Sequence, residues 1–340
     1  MSERINRRWL FEKRPEGPVG AHNFRWTEAE IPSPGEGEML VRNLWLDVAP
    51  TQVLTMIAPP EEGGLPPGAP MPGYAASQVI ESRIPRFSRG DIIYASSGWE
   101  DYSVIDGKGY WDATKVSPGV SPNLAVGALG ITGMVAYFGV TEVAKPRPGE
   151  TFVVSAAAGG VGSVAAQVAK VLGLRVIGIA GGKEKCEWLL TEAGVDGAID
   201  HRGGNVASRL DELCPKGIDI FFDNVGGAVL DLALERLRPH GRIVLCGTTA
   251  RYRQTTSAPG PLNYWQLIMV NGRMEGLLGR DYFDRFPEAI AALKGWLDSG
   301  QVKAKEDVVV GLENAPAALG RLLSGENLGK QLVKIADPSP

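Results

Sequence analysis

Gly159, Gly160 and Gly162 stand between two runs of different periodicity. Before them, residues 151–155 (TFVVS) form a short apolar, β-branched run of the kind that suits a fully buried strand. After them, Val161, Val164, Ala165, Val168 and Ala169 repeat at helical spacing, with Lys170 and Gly173 closing the pattern. In a strand–glycine–helix segment, glycines let the backbone turn tightly and approach a phosphate with no Cβ in the way. The helix start then offers free N–H groups to the negative charge. The match is Ala156-x-x-Gly159-x-x-Gly162, with alanine where the usual dinucleotide fingerprint opens on glycine. A glycine turn that merely packs a helix onto a sheet is the alternative. The next strand separates the two readings. An NAD site carries an Asp or Glu about 20 residues further on, for the ribose hydroxyls. After residues 175–180 (RVIGIA) this chain has Gly181, Gly182, Lys183, Glu184 and Lys185 instead. A missing acid with ammonium groups beside it fits a ribose carrying a 2′-phosphate, so the expected cofactor is NADPH. Lys183 and Lys185 read otherwise as solvated lysines of a first helical turn. His201 and Arg202, at the end of the following strand-like run, either face that phosphate or belong to the surface.

The elements that must hold these residues divide the chain in two. Residues 1 to about 128 read as mainly β, with strand-like runs at 40–46, 75–82 and 91–94, another ending near Ile105, and Pro/Gly-rich turns between them. Residues 58–73 read as a long surface loop. From about 129 strands alternate with helices: strands at 151–155, 175–180, 197–199, 218–223, 242–246 and 273–278, helices at 130–139, 184–193, 204–214, 228–237, 263–270 and near 282–299. Such alternation means an α/β unit, a doubly wound parallel sheet covered on both faces. Residues 303–340 are too few for a domain and are expected to complete the N-terminal one. The domains are therefore 1–128 with 303–340, and 129–302. At 340 residues, about two domains is the ordinary expectation.

Composition excludes several function classes. The net charge is −4 with scattered lysines and arginines, which gives no footprint for nucleic acid or an acidic membrane. Three widely spaced cysteines suit a reducing compartment and no disulfide framework. The first residues, MSERINRRWLFEKRPEG, lack the apolar centre of a signal peptide, and the apolar stretch 124–140 is glycine-broken and too short to span a bilayer. A cytoplasmic protein is expected.

AAAGGVGSVAAQVAK, FFDNVGG at 221–227, GRIVLCG at 241–247, NGRMEG at 271–276 and GENLGK at 325–330 resemble the zinc-independent medium-chain dehydrogenase/reductases. Within them, the similarity is to the alkenal double-bond reductases, the branch of the prostaglandin and curcumin reductases. The resemblance covers nearly the whole chain. It implies a GroES-like β-rich catalytic domain, a Rossmann domain, a cleft between them, NADPH, and a homodimer joined along the Rossmann sheet. It assigns Gly159, Gly160, Val161 and Gly162 to the pyrophosphate turn, Lys185 to the 2′-phosphate, and Asn224, Tyr252 and Asn327 to the lining of the cofactor site. His201 stands where close relatives often have a tyrosine near that phosphate. Thr51 and Met269 stand where relatives have tyrosines, so two family proton donors are absent. Tyr264, in PLNYW, resembles the curcumin-reductase pattern and is the replacement candidate; its alternative is a packing residue. Trp99 and Tyr102 lie in a turn that the resemblance places near the cleft.

Zinc of the alcohol-dehydrogenase kind needs three ligands from Cys, His and acidic side chains. All the cysteines lie after residue 180, and the catalytic half offers His22 alone from His and Cys, so no metal is expected. The expected reaction is hydride transfer from NADPH to the β-carbon of an α,β-unsaturated ketone or aldehyde. Tyr252 or Tyr264 would help stabilise the enolate oxygen. Quinone reduction is a second reading, and a non-catalytic NADPH-binding protein a third. The partner is a small molecule: an enone, an enal or a quinone.

Overall fold

A computed structural model describes residues 5–109, 112–252 and 260–339. The chain forms two compact units, Met1–Gly130 with Glu306–Asn327 and Gln331–Pro340, and Ile131–Lys305 with Leu328–Lys330.

The first unit is built from β1 (Ile5–Phe11), β2 (Phe24–Glu30), β3 (Met39–Asp47), the short helix α1 (Gln52–Ile57), β4 (Pro72–Ser82), β5 (Ile92–Gly98), β6 (Tyr102–Ile105), β7 (Thr114–Lys115) and α2 (Pro122–Val126). The second contains α3 (Ile131–Phe138), β8 (Thr151–Val154), α4 (Gly160–Val171), β9 (Arg175–Ala180), α5 (Lys183–Thr191), β10 (Gly197–Asp200), α6 (Val206–Leu213), β11 (Ile218–Asp223), α7 (Gly227–Leu234), β12 (Leu237–Leu245), α8 (Gln266–Met269), β13 (Arg273–Gly276) and α9 (Phe286–Asp298). The chain then returns to the first unit with β14 (Glu306–Val310), α10 (Ala315–Ser324) and β15 (Lys330–Lys334).

In the first unit the sheet order is β14-β15-β3-β4-β5-β7, with β6 on β3 and β1–β2 a separate antiparallel pair. The tail therefore supplies two of the strands, one of which, β15, pairs Leu332 with Asp47. The hairpin β1–β2 was not legible, because its outward positions are charged and its apolar partners are remote. Trp9 donates its indole N–H to the Leu312 carbonyl (2.9 Å), and Phe11 packs in a cluster with Trp99, Leu319 and Val333. Residues 72–73 begin β4 rather than ending the Pro/Gly loop, and Pro60–Glu62 forms a 3-10 turn inside it. Trp99 is fully buried and stacks on Phe24 at 5.4 Å, so its role here is core packing.

The second unit is a six-stranded sheet in the order β10-β9-β8-β11-β12-β13, parallel at every pairing, as expected for a doubly wound fold. Two expectations need adjustment. The strand expected at 242–246 starts at Leu237, where a helix was expected to continue. His240 adopts a left-handed φ of 65°, and the register on β11 jumps from Ile218–Leu237 to Ile220–Arg242. A bulge thus lets β12 pass through a Pro-His-Gly stretch that reads as a break. The helix expected at 263–270 shrinks to α8, because the Leu262 and Asn263 N–H groups donate to Asp231 Oδ1 instead (2.7 and 3.2 Å). No helix among the described residues is long and apolar enough to cross a membrane.

Candidate functional site: a glycine turn and a basic cluster at the strand ends

β8 is buried from Phe152 to Val154, in the middle of the sheet, and delivers the chain to the glycines. The turn is pinned on both sides: the Ala157 N–H donates to the Ile179 carbonyl (2.9 Å) and the Gly159 N–H to that of Ala156 (2.9 Å). Ala156 carries the reversal in the left-handed region, at φ 48°. That backbone costs an L-residue about 1 kcal/mol, part of which glycine returns through its larger unfolded-state freedom. Ala156→Gly is therefore expected to stabilise the unit by a few tenths of a kcal/mol. A thermal midpoint lower than that of the parent chain would contradict this account of the turn.

α4 starts at Gly160, with Gly159 as its N-cap, and no described side chain caps it. A Cβ on Gly162 would lie 2.2 Å from the Ala156 carbonyl oxygen, so the first turn of the helix rides directly on the preceding loop. Val161 is half-buried, whereas Gly162 to Ala169 are all buried; the helix is covered far beyond its expected apolar stripe. A second segment closes on the turn. The Gly329 N–H donates to the Ala158 carbonyl (2.8 Å), and Gly159 and Gly329 form an isolated parallel bridge. Asn327, two residues earlier, is 5% exposed.

At the end of β9 the space an acid would need is occupied. A Cβ on Gly181 would sit 2.7 Å from His201 Nε2 and 3.0 Å from Arg202 Nε, and one on Gly182 3.7 Å from Arg202 Nη1. Gly182 caps α5, whose first turn carries exposed Lys183 and half-buried Lys185. The β10 end is tied to this turn by Asp200, whose Oδ1 accepts the N–H groups of Gly182 (2.7 Å) and Arg202 (2.9 Å). Those two bonds hold its carboxyl below the usual range. His201 is pushed below the ordinary histidine value, first by packing on the turn and then by the Arg202 guanidinium. Lys185 adds to that repulsion, so Lys185, His201 and Arg202 form one basic group around Gly181–Gly182.

Asn224 is buried at the end of β11, where its N–H donates to Ser155 Oγ (2.8 Å) and its Nδ2 to the Ser155 carbonyl (2.7 Å). It joins the ends of β8 and β11. The preceding residue, Asp223, was missed. Fully buried, it accepts from Ser155 Oγ (2.8 Å) and from the N–H groups of Val225 and Gly226 (both 3.0 Å). Burial raises its pKa, opposed by those bonds. An acid ending an apolar strand, as in FFDNVGG, was the available signal. The loop after β12 lies on the same turn, since the Thr249 and Ala250 N–H groups donate to the Asn224 and Val225 carbonyls (3.2 and 3.1 Å). Tyr252, half-buried, follows that loop. Tyr264 is elsewhere. It lies in the segment anchored to Asp231 of α7 and is 62% exposed. Met269, on α8, is 69% exposed, and Thr51 is the exposed residue before α1.

The chain matches a family described as "N-terminal domain of oxidoreductase" over residues 7–113 and one described as "Zinc-binding dehydrogenase" over residues 160–295. It is 36% identical to the "NADPH-dependent curcumin reductase" of Escherichia coli, covering 97% of each chain. It is 38% identical to a "2-alkenal reductase (NADP(+)-dependent)" of Nicotiana tabacum, covering 89% of this chain and 88% of the relative. The crystal structure of CurA from Vibrio vulnificus in complex with NADPH superposes with a TM-score of 0.91 at 37% identity, over 98% of this chain and all of the other. The chain belongs to the medium-chain dehydrogenase/reductase family, in its alkenal, prostaglandin and curcumin reductase branch. Despite the wording of the second description, no three His, Cys, Asp or Glu side chains converge as a metal would require among the described residues.

Proposed function

We propose that this chain is an NADPH-dependent reductase of α,β-unsaturated ketones and aldehydes. The observation that carries the cofactor is the filled space beside Gly181: His201 and Arg202 occupy the position of a ribose-binding acid, and Lys185 adds a second cationic side chain. The residues fit the dinucleotide elsewhere too. The backbone of Gly159, Gly160, Val161 and Gly162 turns tightly into α4, with little room for a Cβ at Gly160 or Gly162, and the amino end of α4 favours a pyrophosphate. Gly182, Lys183, Lys185 and His201 take the 2′-phosphate, while Asn224, Tyr252 and Asn327 line the remainder. Bound NADPH supplies a hydride for the β-carbon of the substrate. The protein's part is to bind, orient and exclude water, with a tyrosine hydroxyl donating to the substrate oxygen as charge gathers there. Of the two candidates, Tyr252 is the better placed, because its loop rests on the Asn224 turn.

The double-bond preference rests on the relatives: curcumin, 2-alkenal, pulegone and prostaglandin reductases of 33–38% identity over most of the chain. A homodimer along the Rossmann sheet is supported by β13, which ends that sheet, and by exposed Leu262, Trp265, Ile268 and Met269 just before it. Three free cysteines support a reducing compartment, the cytoplasm.

The test is NADPH oxidation by the purified chain with a linear enone, its saturated ketone and a quinone in parallel. Consumption with the enone and none with the saturated ketone is expected, the product being the ketone reduced at the double bond. Equal rates with the saturated ketone would remove the proposal. Turnover of the quinone alone would reassign the substrate.

A further inference from the structure

The basic group around Gly181–Gly182 contains one member that changes charge near neutral pH. The groups facing the His201 ring are Arg202 on its own turn, Asp200 at the end of β10, and Lys185 on α5, with Cys186 beside Asp200; Gly181 and Gly182 add none. Arg202 and Lys185 both set positive charge against the ring. Asp200 stays anionic, held down by two backbone N–H groups. Cys186 stays a neutral thiol, because burial and the Asp200 charge raise it. Only the imidazole is left to respond to an arriving anion.

We propose that His201 makes cofactor binding proton-linked: the imidazole facing the 2′-phosphate beside Arg202 takes up a proton from solvent when NADPH binds, and gives it back on release. This rests on the reading of Lys185, His201 and Arg202 as the 2′-phosphate site. The geometry supports it because His201 Nε2 lies over the turn, next to Arg202 Nε, where the acid of an NAD site would point. Without the phosphate, the ring is packed against the turn and repelled by two cations. A dianion among the same groups reverses that balance, since a charge-assisted hydrogen bond to phosphate favours the protonated ring. The sign follows. A group whose pKa is higher in the complex strengthens binding below its free value, and the gain is lost as pH rises through the bound value. NADPH affinity should therefore fall as pH rises through neutrality, while NADH affinity, which needs no such charge, stays level. Discrimination against NADH is thus greatest in mild acid. The phosphate's own second ionisation, near pH 6, works in the opposite direction and is common to parent and variant.

The test uses the full chain and NADPH itself. Calorimetric titrations at about pH 6.5, 7.3 and 8 should show the NADPH dissociation constant rising roughly three- to tenfold in the parent. Repetition in buffers of different ionisation enthalpy should show net proton uptake near neutrality. His201→Gln should lose both effects, its NADPH dissociation constant following only the phosphate's own ionisation across the same pH range. Because a variant can fail for reasons of folding, the parent alone gives an independent readout. It has only three histidines, His22, His201 and His240, so their ring-proton resonances can be followed across pH with and without NADPH. The pKa of one of them should rise on binding. NADPH binding with no pH dependence beyond that of His201→Gln, and no histidine shift, would overturn the proton linkage and leave the cofactor reading intact. Failure of NADPH to bind at any pH would overturn both.

Discussion

Gly162→Val is expected to cost the dinucleotide-binding unit about 3 kcal/mol, the upper end of what an overpacked site loses. For a unit of this size the thermal midpoint should fall by roughly 6 to 12 °C, and NADPH binding should be lost with it. A Cβ at 162 would lie 2.2 Å from the Ala156 oxygen, 2.9 Å from its carbonyl carbon and 3.0 Å from Ala157 Cα. All three are backbone atoms, so no rotamer change relieves the clash. Nor can the loop step aside cheaply. Ala156 is already at a positive φ, and its neighbours are fixed by the bonds from Ala157 to Ile179 and from Gly159 to Ala156. The added atom must lift the start of α4 off the turn or unlatch the turn from β9. Either change moves the N–H groups that would meet the pyrophosphate. A glycine of α9 provides the contrast: a Cβ on Gly295 meets nothing within 4 Å. Gly295→Ala should leave binding unchanged and gain up to about 1 kcal/mol from helix propensity. Differential scanning fluorimetry with and without NADPH reads both. A Gly162→Val chain that melts with the parent and binds NADPH would show the close approach to be unimportant.

How much of this was legible depended on whether the cause lay near in sequence. The alternation of strands with helices was readable because the inner strands β8 and β9 are buried on both faces and write nearly unbroken apolar runs. The return of the tail was readable because residues 303–340 could not form a core alone. Where the partner was distant, the reading failed. β1 carries Arg7 and Arg8, and nothing local announces that Trp9 will reach Leu312 or that Arg7 will pair with Asp101 (2.7 Å). In β12 the sequence Pro239-His240-Gly241 reads as a stop, and only pairing with strands on both sides carries the chain through.

The site divides in the same way. Glycines announce themselves, because few other reasons put three in four positions between a strand and a helix. The basic group was half legible: Lys185 follows the turn directly, whereas the closeness of His201 and Arg202 to Gly181 comes from the parallel pairing of β9 with β10. Tyr264 and Tyr252 looked equivalent as tyrosines in one loop region. The structure separates them, one exposed on the α7 side and the other following the loop bonded to Asn224 and Val225. Asp223 went unread because a buried acid has no periodicity and no spacing rule, and its partners are mostly backbone.

Asp223→Ala is expected to be the most damaging single change outside the glycine turn, at about 3 kcal/mol. The carboxylate takes three donors inside the unit: the Ser155 hydroxyl and the N–H groups of Val225 and Gly226. Each buried donor left without an acceptor costs roughly 1 to 3 kcal/mol. Relief of the carboxylate's own desolvation returns part of that, which is why the sum is set near the lower bound. The consequences spread through Ser155. Its Oγ accepts the Asn224 N–H (2.8 Å) while donating to Asp223 (2.8 Å), and its carbonyl accepts Asn224 Nδ2 (2.7 Å). Loss of the acid frees the hydroxyl to rotate and loosens the join between the ends of β8 and β11. Asn224 and the loop leading to Tyr252 are both hung from that join. Asp223→Asn keeps at Oδ1 an acceptor for Ser155 and both N–H groups but turns an Nδ2 donor toward the Gly226 N–H, so a smaller loss than that of the alanine variant is expected. The ordering parent, Asn, Ala should appear both in chemical denaturation and in NADPH affinity. If Asp223→Ala unfolded with the parent, the carboxylate would be a passenger in the turn; if it lost stability yet bound NADPH as tightly, the join would support the fold without positioning the cofactor.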